Sequence, residues 1–361
     1  MSEVSRRLVI IDYFKGISII MIFVCHLVQV FDVPDFLSAI SSFGRMGCQM
    51  FFVMSGYTIT MSYEKSSSNL GTFYTKRWLS LAPGYWLAIL ITVLIALTTI
   101  MLSGTNQLDT SLKIGDVIIN LFMLNGLVDT EANNLVFRGG WFIGTIFILN
   151  TLYPVLHKGY KEYGKKFLYG CIITSMALSV ICFFSTGRIY SGCGGFWYFS
   201  FINQLPSYIL GIMIYNETNN SENKNCALRT LLLFMTTLVL FYLPTIPLRS
   251  VFIPFSFSLS FFYILKALWN KSLVCCNILT KVGKLSYPIF LLHIFFIWDI
   301  PTLVLQPFLP LNTTTCIIYG VIAFFVVYFV SRYFNKLIGI LTNRLKILFL
   351  FDKDICQKKN Y

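Results

Sequence analysis

The sequence has little charge and almost no histidine. Only 12% of its 361 residues are charged, 56% are hydrophobic, and three are histidine. A soluble domain of this length needs a far more charged surface, so the composition excludes an ordinary soluble protein. It is typical of a chain that crosses a membrane several times. We predict an all-α, polytopic membrane bundle that forms one domain over residues 1–361, with a short cytoplasmic tail from about residue 343.

Sequence motifs of several soluble enzyme classes are also missing. The sequence contains no GxGxxG, Walker or HExxH motif, and its ten cysteines show no zinc-ligand spacing. Most of the cysteines lie within or beside apolar runs, which predicts small buried residues rather than a disulfide framework. We therefore predict no metal site.

Ten apolar runs are candidates for membrane-spanning helices. Their approximate ranges are 8–31, 43–61, 79–102, 140–157, 167–185, 197–216, 230–247, 251–269, 285–306 and 314–340. The apolar run 115–127 is shorter than the roughly 20 residues that a crossing helix needs. We predict an interfacial or re-entrant segment there.

Lysine and arginine are distributed unevenly between the predicted loops. With ten spans and the N-terminus inside, twenty of them lie in cytoplasmic segments and four in outer segments. Cytoplasmic loops collect Lys and Arg, so both termini are predicted to be cytoplasmic. The formal charge of +13 then reflects loops beside anionic lipid, and no nucleic-acid partner is implied. The first apolar run is long and contains Lys15, so we expect a retained span and not a signal peptide.

That first run carries Asp12, Lys15 and His26 where hydrocarbon is expected. Lys15 and His26 fall on nearly the same helix face, and Asp12 lies one turn before Lys15. Ionisable groups inside a span are costly and are usually functional. We predict a functional role for His26, whereas His157 fits an interfacial loop residue after a helix end at Pro154. For His293, a hydrogen bond to a neighbouring helix and a substrate contact are equally compatible with the sequence.

Several motifs resemble the membrane-bound acyltransferase-3 family, whose members O-acylate sugars of bacterial surface polysaccharides. The first motif is Asp12-Tyr-Phe-Lys15-Gly16, with His26 eleven residues after the cation. The others follow in the family's order: Phe51-Phe52 before Ser55-Gly56, the segment Phe73 to Trp86, Gly139-Gly140-Trp141, Asn203 to Gly211, and Gly283 to His293. The resemblance covers most of the chain.

Two positions depart from the family pattern. Ser80 occupies the place of the second arginine in the Phe73 to Trp86 motif. Ile146 occupies the place of a glutamate found in many relatives. That carboxylate is either dispensable or supplied elsewhere, with Asp12 and Glu131 as the candidates.

The resemblance implies an O-acyltransferase of the bacterial inner membrane. It would move an acetyl or similar acyl group from acyl-coenzyme A to a sugar hydroxyl of a glycan or lipid-linked sugar, with no tightly bound cofactor. Such a transfer needs a base for the hydroxyl proton and positive charge where the oxyanion develops. We expect His26 to be the base, with Asp12 on the same polar face as a second catalytic residue.

Coenzyme A is anionic and cytosolic, so its phosphates should meet cations near the inner face. The candidate donor-binding residues are Lys15, Lys76 and Arg77. For Lys76 and Arg77 the alternative is a positive-inside anchor, and their place in the family motif favours donor binding. The candidate substrate-binding residues are Arg45, Ser55, Trp141 and His293. Three of these have structural alternatives, namely snorkelling for Arg45, close helix packing for Ser55 and an interfacial aromatic belt for Trp141.

A function of another class also fits the composition. A glycolipid transporter or flippase would show many spans, intramembrane charge and basic inner loops, and the absence of the family glutamate fits it or an inactive family member. Transporters commonly contain an internal repeat with broken helices in matching halves, and the sequence shows no such repeat.

Overall fold

The computed structural model describes residues 3–64, 69–106, 112–127, 136–185, 199–216, 226–243, 249–268 and 277–357. Its helices are α1 (Glu3–Val28), α2 (Asp35–Ser42), α3 (Gly47–Glu64), α4 (Leu70–Ser103), α5 (Ile114–Leu121), α6 (Gly140–Tyr163), α7 (Lys165–Ser185), α8 (Phe201–Asn216), α9 (Cys226–Tyr242), α10 (Arg249–Leu268), α11 (Asn277–Lys284), α12 (Ser286–Ile294) and α13 (Thr313–Gln357). A 3₁₀ turn, Phe43–Met46, joins α2 to α3, and two π-helical turns, Phe295–Asp299 and Pro301–Leu305, follow α12. No β-strand occurs in these ranges, which confirms the all-α class.

Seven helical segments in the described residues are long and apolar enough to cross a membrane. They are Arg7–Val28, Leu70–Ser103, Gly140–Tyr163, Lys165–Cys182, Val251–Leu268, Ser286–Leu305 and Thr313–Leu348. They match seven of the ten predicted spans, so the polytopic bundle is confirmed. The other three predicted spans correspond to α3, α8 and α9, which are shorter or less apolar. The count of ten stays a prediction.

The helices α3 and α8 pack backbone to backbone inside the bundle. A Cβ atom on Gly56 would clash with the carbonyl oxygen of Tyr208, and one on Gly211 would clash with that of Val53. Small residues permit this close approach in membrane proteins. Because the bundle surrounds them, both helices can carry buried polar residues such as Gln49, which lowers their hydropathy.

A second close crossing joins α11 to α1. A Cβ on Gly283 would clash with the carbonyl oxygen of Asp12, and one on Gly16 would clash with that of Leu279. The chain turns at Leu285 and continues directly as α12. This crossing therefore starts α12 beside α1.

The segment 115–127 does not cross the bundle. Its helix α5 has eight residues and is followed by turns up to Leu127. The hydroxyl of Tyr85 donates to Asn120 Oδ1 at 2.7 Å, and Asn125 Nδ2 donates to the same oxygen at 2.9 Å. These bonds hold the segment against α4, as an interfacial or re-entrant segment requires.

Five cysteines in the described part of the chain are thiols outside any disulfide bond. Cys25, Cys48 and Cys316 are buried and Cys171 and Cys182 are half-buried, as expected for small apolar residues. At the C-terminus, α13 continues to Gln357, so the predicted tail from about residue 343 begins within a helix.

Candidate active site

The two histidines of the first and last family motifs lie together. His26 is in the last turn of α1, and its ring centroid is 5.5 Å from that of His293 on α12, with the planes tilted by 47°. His26 is half-buried and His293 is 0% exposed. The crossing of α11 over α1 brings these two residues together, although they are far apart in sequence.

His293 has one ring nitrogen satisfied and the other open. Its Nδ1 lies 2.6 Å from the carbonyl oxygen of Phe290. A carbonyl oxygen only accepts, so Nδ1 carries hydrogen and donates. Its Nε2 is buried and has no hydrogen-bond partner among the described residues. Buried polar atoms are normally paired, so this nitrogen is a candidate contact for a substrate.

His26 is held by Gln29, which follows α1 by one residue. The Nδ1 of His26 lies 3.3 Å from the Oε1 atom of Gln29. Arg45, in the 3₁₀ turn before α3, lies within electrostatic range of His26. The Nε of Arg45 donates to the Ser42 carbonyl at 2.9 Å, and its guanidinium lies 5.0 Å from the ring centroid of Phe241. A substrate contact of Arg45 stays a prediction, and the residue lies near His26.

An aromatic row connects Trp141 to the histidine pair. Trp141 is half-buried, and its ring is 4.5 Å from that of Phe199 and 5.8 Å from that of Phe142. Phe142 lies 4.8 Å from Phe290, which in turn lies 5.2 Å from the ring of His293. Trp141 therefore reaches the candidate site through two phenylalanines and does not contact His293 directly in this row.

The two charged residues of the first span pair with each other. Lys15 Nζ is 3.7 Å from an oxygen of Asp12, and both side chains are half-buried. At 1.5 Å per residue, Lys15 lies about 16 Å along α1 from His26, and Asp12 lies farther still. The carboxylate of Asp12 is thus beside Lys15, and the hydrogen-bond partner of His26 is Gln29. A catalytic role for Asp12 stays a prediction.

The candidate donor-binding cations on α4 differ in burial. Lys76 is exposed, whereas Arg77 is half-buried and donates to Ser62 Oγ at 3.0 Å. The Nε of Arg77 is buried without a hydrogen-bond partner in the described residues. Ser80, which replaces the second motif arginine, is exposed and donates to the Arg77 carbonyl at 2.6 Å.

Three other positions discussed from the sequence provide no support for a role in the site. Ser55 is half-buried on α3 beside Gly56, and it is Gly56 that forms the close contact with α8. A substrate contact of Ser55 stays a prediction. Ile146 is a buried part of α6, and Glu131 lies outside the described residues.

The interpretation of His157 as a loop residue is wrong. The helix α6 does not end at Pro154 but continues to Tyr163, so His157 lies within it. Its Nδ1 is 3.2 Å from the hydroxyl of Tyr153, and its ring is 4.9 Å from that of Tyr63. It takes no part in the ring contact between His26 and His293.

The sequence reasoning missed Gln29 and one ion pair. Gln29 follows His26 by three residues, the spacing at which side chains on one helix face meet, and this could have identified it. Arg138 is one of the four basic residues in the predicted outer segments, and its NH1 atom is 3.1 Å from Asp299 Oδ1. This pair ties the segment before Gly139 to the π-helical turn that follows His293, which no local pattern indicates.

The chain was compared with protein families, curated proteins and solved structures. The family model of an acyltransferase domain, acyltransferase-3, matches residues 8–332. No curated protein and no solved structure gives a significant match. The family match includes α1 from residue 8 onward, both candidate histidines and the close crossing of α11, so it covers the whole candidate site.

Proposed function

Because the chain belongs to the acyltransferase-3 family, we propose that it transfers an acetyl or similar acyl group from acyl-coenzyme A to a sugar hydroxyl of a bacterial surface polysaccharide or its lipid-linked precursor. The observation that carries this proposal is the pair of histidine rings 5.5 Å apart within the helical membrane bundle. Histidine is the side chain best suited to take up and return a proton near neutral pH.

In the proposed reaction, His26 acts as general base through Nε2. It accepts the proton of the sugar hydroxyl while that oxygen attacks the thioester carbonyl carbon. The tetrahedral intermediate then collapses, the carbon–sulfur bond breaks, and the thiolate takes the proton from His26. The products are the sugar ester and the free thiol of coenzyme A. A positioned base contributes roughly 10²- to 10⁴-fold to such a step.

His293 and Arg45 would complete the acceptor end of the site. The open Nε2 of His293 is a hydrogen-bond acceptor next to His26 and would accept from a neighbouring hydroxyl of the same sugar, which would position the attacking hydroxyl at His26. The charge of Arg45 lies within electrostatic range of His26 and would stabilise the oxyanion of the intermediate. Trp141, which is half-buried, would stack on the sugar ring.

The donor would enter from the other end of α1. Lys15, Lys76 and Arg77 are the proposed contacts for the phosphates of acyl-coenzyme A, supported by the buried, unpaired Nε of Arg77. The extended pantetheine arm would bridge the distance of about 16 Å between Lys15 and His26. The excess of basic residues in the predicted inner loops supports a location in the inner membrane with both termini in the cytoplasm.

The proposal is tested with membranes that contain the intact protein and the glycan of the native host. Radiolabelled acetyl-coenzyme A is added, and released thiol and label in the glycan are both measured. We expect equal amounts of thiol and glycan ester, above the level of membranes without the protein. No thiol release would contradict the proposal, and glycolipid movement without thioester consumption would favour the transporter alternative.

A further inference from the structure

We infer that Gln29 is a positioning residue that fixes the ring tautomer of His26, so that Nδ1 carries the hydrogen and Nε2 is the nitrogen that takes the proton. The role of Nε2 as a base rests on the proposed function. The tautomer itself rests only on the hydrogen bonds around His26.

These hydrogen bonds begin at the backbone carbonyl of Ser42, at the end of α2. The thiol of Cys25 lies 3.7 Å from that oxygen, and because a carbonyl oxygen only accepts, the thiol is the donor. The sulfur of Cys25 is then available as an acceptor, and the amide Nε2 of Gln29 lies 3.7 Å from it. The Ser42 carbonyl thus sets which atom donates in each hydrogen bond of this row, which runs from Ser42 through Cys25 and Gln29 to His26.

The same row orients the side-chain amide of Gln29. With its NH₂ group directed at Cys25, its Oε1 faces His26 Nδ1 at 3.3 Å. An amide oxygen cannot donate, so the hydrogen of this bond belongs to Nδ1. In a neutral ring the other nitrogen, Nε2, then holds the lone pair, since the hydrogen bond made by one ring nitrogen decides the state of the other.

The backbone around this row is well anchored. The N–H of Gln29 donates to the His26 carbonyl at 3.2 Å, which closes the turn at the end of α1. A Cβ on Gly44 would clash with the Met21 carbonyl, so the 3₁₀ turn that follows Ser42 lies directly on α1. This contact keeps the Ser42 carbonyl in place and supports the orientation of the two side chains that follow it.

His293 shows the same arrangement with a different partner. Its Nδ1 donates to the Phe290 carbonyl, and its Nε2 is open. Each histidine of the pair therefore presents Nε2 because an oxygen acceptor occupies Nδ1. At His293 the acceptor belongs to the backbone and cannot be mutated, whereas at His26 it belongs to Gln29, which makes the inference testable.

The test is nitrogen-15 NMR of histidine-labelled full-length protein at alkaline pH, where the rings are neutral. Protonated and lone-pair ring nitrogens have well-separated shifts, and spectra of His157→Ala and His293→Ala assign the three histidines. We expect hydrogen on Nδ1 of His26 in the intact protein and in Gln29→Glu, which retains an acceptor. We expect it on Nε2 in Gln29→Met, whose side chain has a similar length. Gln306→Met, an exposed glutamine beyond the second π-helical turn, is the matched control and should leave His26 unchanged.

Two spectral results would overturn the inference: hydrogen on Nε2 of His26 in the intact protein, or hydrogen still on Nδ1 in Gln29→Met. A kinetic comparison then tests the consequence for acyl transfer. Gln29→Met should lower kcat roughly 10- to 100-fold with an unchanged KM for acetyl-coenzyme A, and Gln29→Glu should restore most of the rate. Equal losses in both variants would contradict a positioning role. The spectra can be recorded without turnover, so the two proposals can fail separately. If the protein shows the expected tautomers but releases no thiol, the proposed function is refuted and the role of Gln29 in fixing the tautomer still holds.

Discussion

The histidine in the middle of α6 and the histidine pair between α1 and α12 have different kinds of hydrogen-bond partner. His157 faces the hydroxyl of Tyr153 at 3.2 Å, and a hydroxyl can donate or accept. His26 and His293 face an amide oxygen and a carbonyl oxygen, which can only accept. The partner of His157 therefore leaves its tautomer open, whereas the partners of the pair leave the lone pair of each neutral ring on Nε2.

The surroundings of the two regions differ as well. Near His157, Lys161 pairs with Glu64 at 3.6 Å, and the side chain of Lys161 is 60% exposed. At the other region, His293 is 0% exposed and its Nε2 is without a partner in the described part of the chain. Leaving a buried polar atom unpaired costs free energy, which is tolerated mainly where function needs it. This difference supports the proposed chemistry at the pair and favours a structural role for His157.

The largest change is expected from removing the helix crossing that brings the pair together. Gly283→Leu would drive a side chain into the Asp12 carbonyl, so α11 and α12 could not pack on α1. We expect little or no monodisperse protein after detergent extraction. Gly339→Leu is the matched control, because space is open around that glycine. Normal yield of Gly283→Leu would contradict the close crossing.

A smaller loss is expected from His293→Ala, which keeps the fold but removes one ring of the pair. We expect kcat to fall about 30-fold, or ~2 kcal/mol of transition-state stabilisation. The measurement is label transfer into glycan at matched protein levels. A rate equal to that of the intact protein would show that His26 works without His293. It would contradict the claim that the two histidines act as a pair.

The ion pair beyond His293 should matter mainly for stability. Arg138 and Asp299 are 20% and 12% exposed, so removing one charge leaves the other largely desolvated. We expect Arg138→Met to lower the free energy of unfolding by about 2 kcal/mol, measured as a lower Tm in detergent. Asp299→Asn should cost less when added to Arg138→Met than alone. Fully additive losses would mean that the two charges do not interact.

The smallest expected effect concerns the donor end of α1. Lys15→Ala should raise the KM for acetyl-coenzyme A about tenfold, or ~1.4 kcal/mol, with little change in kcat. Lys281→Ala removes an exposed lysine from the neighbouring α11 and is the control. A fall in kcat with an unchanged KM would place Lys15 in the chemical step and contradict its assignment to donor binding.

Much of the bundle could be predicted because its causes are local. Long apolar runs determine α1, α4, α6, α7, α10 and α13, and the cost of a polar group in a span identified His26. The length of the run 115–127 was enough to exclude a crossing helix. The continuation of α6 through Pro154 was missed because the packed bundle outweighs the local tendency of proline to end a helix.

The rest depends on contacts between segments that are distant in sequence. The approach of His26 to His293 follows from the crossing at Gly283, and the orientation of Gln29 follows from the Ser42 carbonyl on another helix. The pairing of Asp12 with Lys15 was within reach of the sequence, since the two are three residues apart on one helix. It was missed because both residues were assigned to the polar helix face that also carries His26.

The most direct test of the account compares His26→Ala with His157→Ala in the same label-transfer assay, at matched expression and extraction. The account predicts that His26→Ala lowers transfer at least about 100-fold, since a general base is lost, and that His157→Ala stays within about twofold of the intact protein. Equal activity of His26→Ala and the intact protein, or an equal loss in both variants, would contradict it.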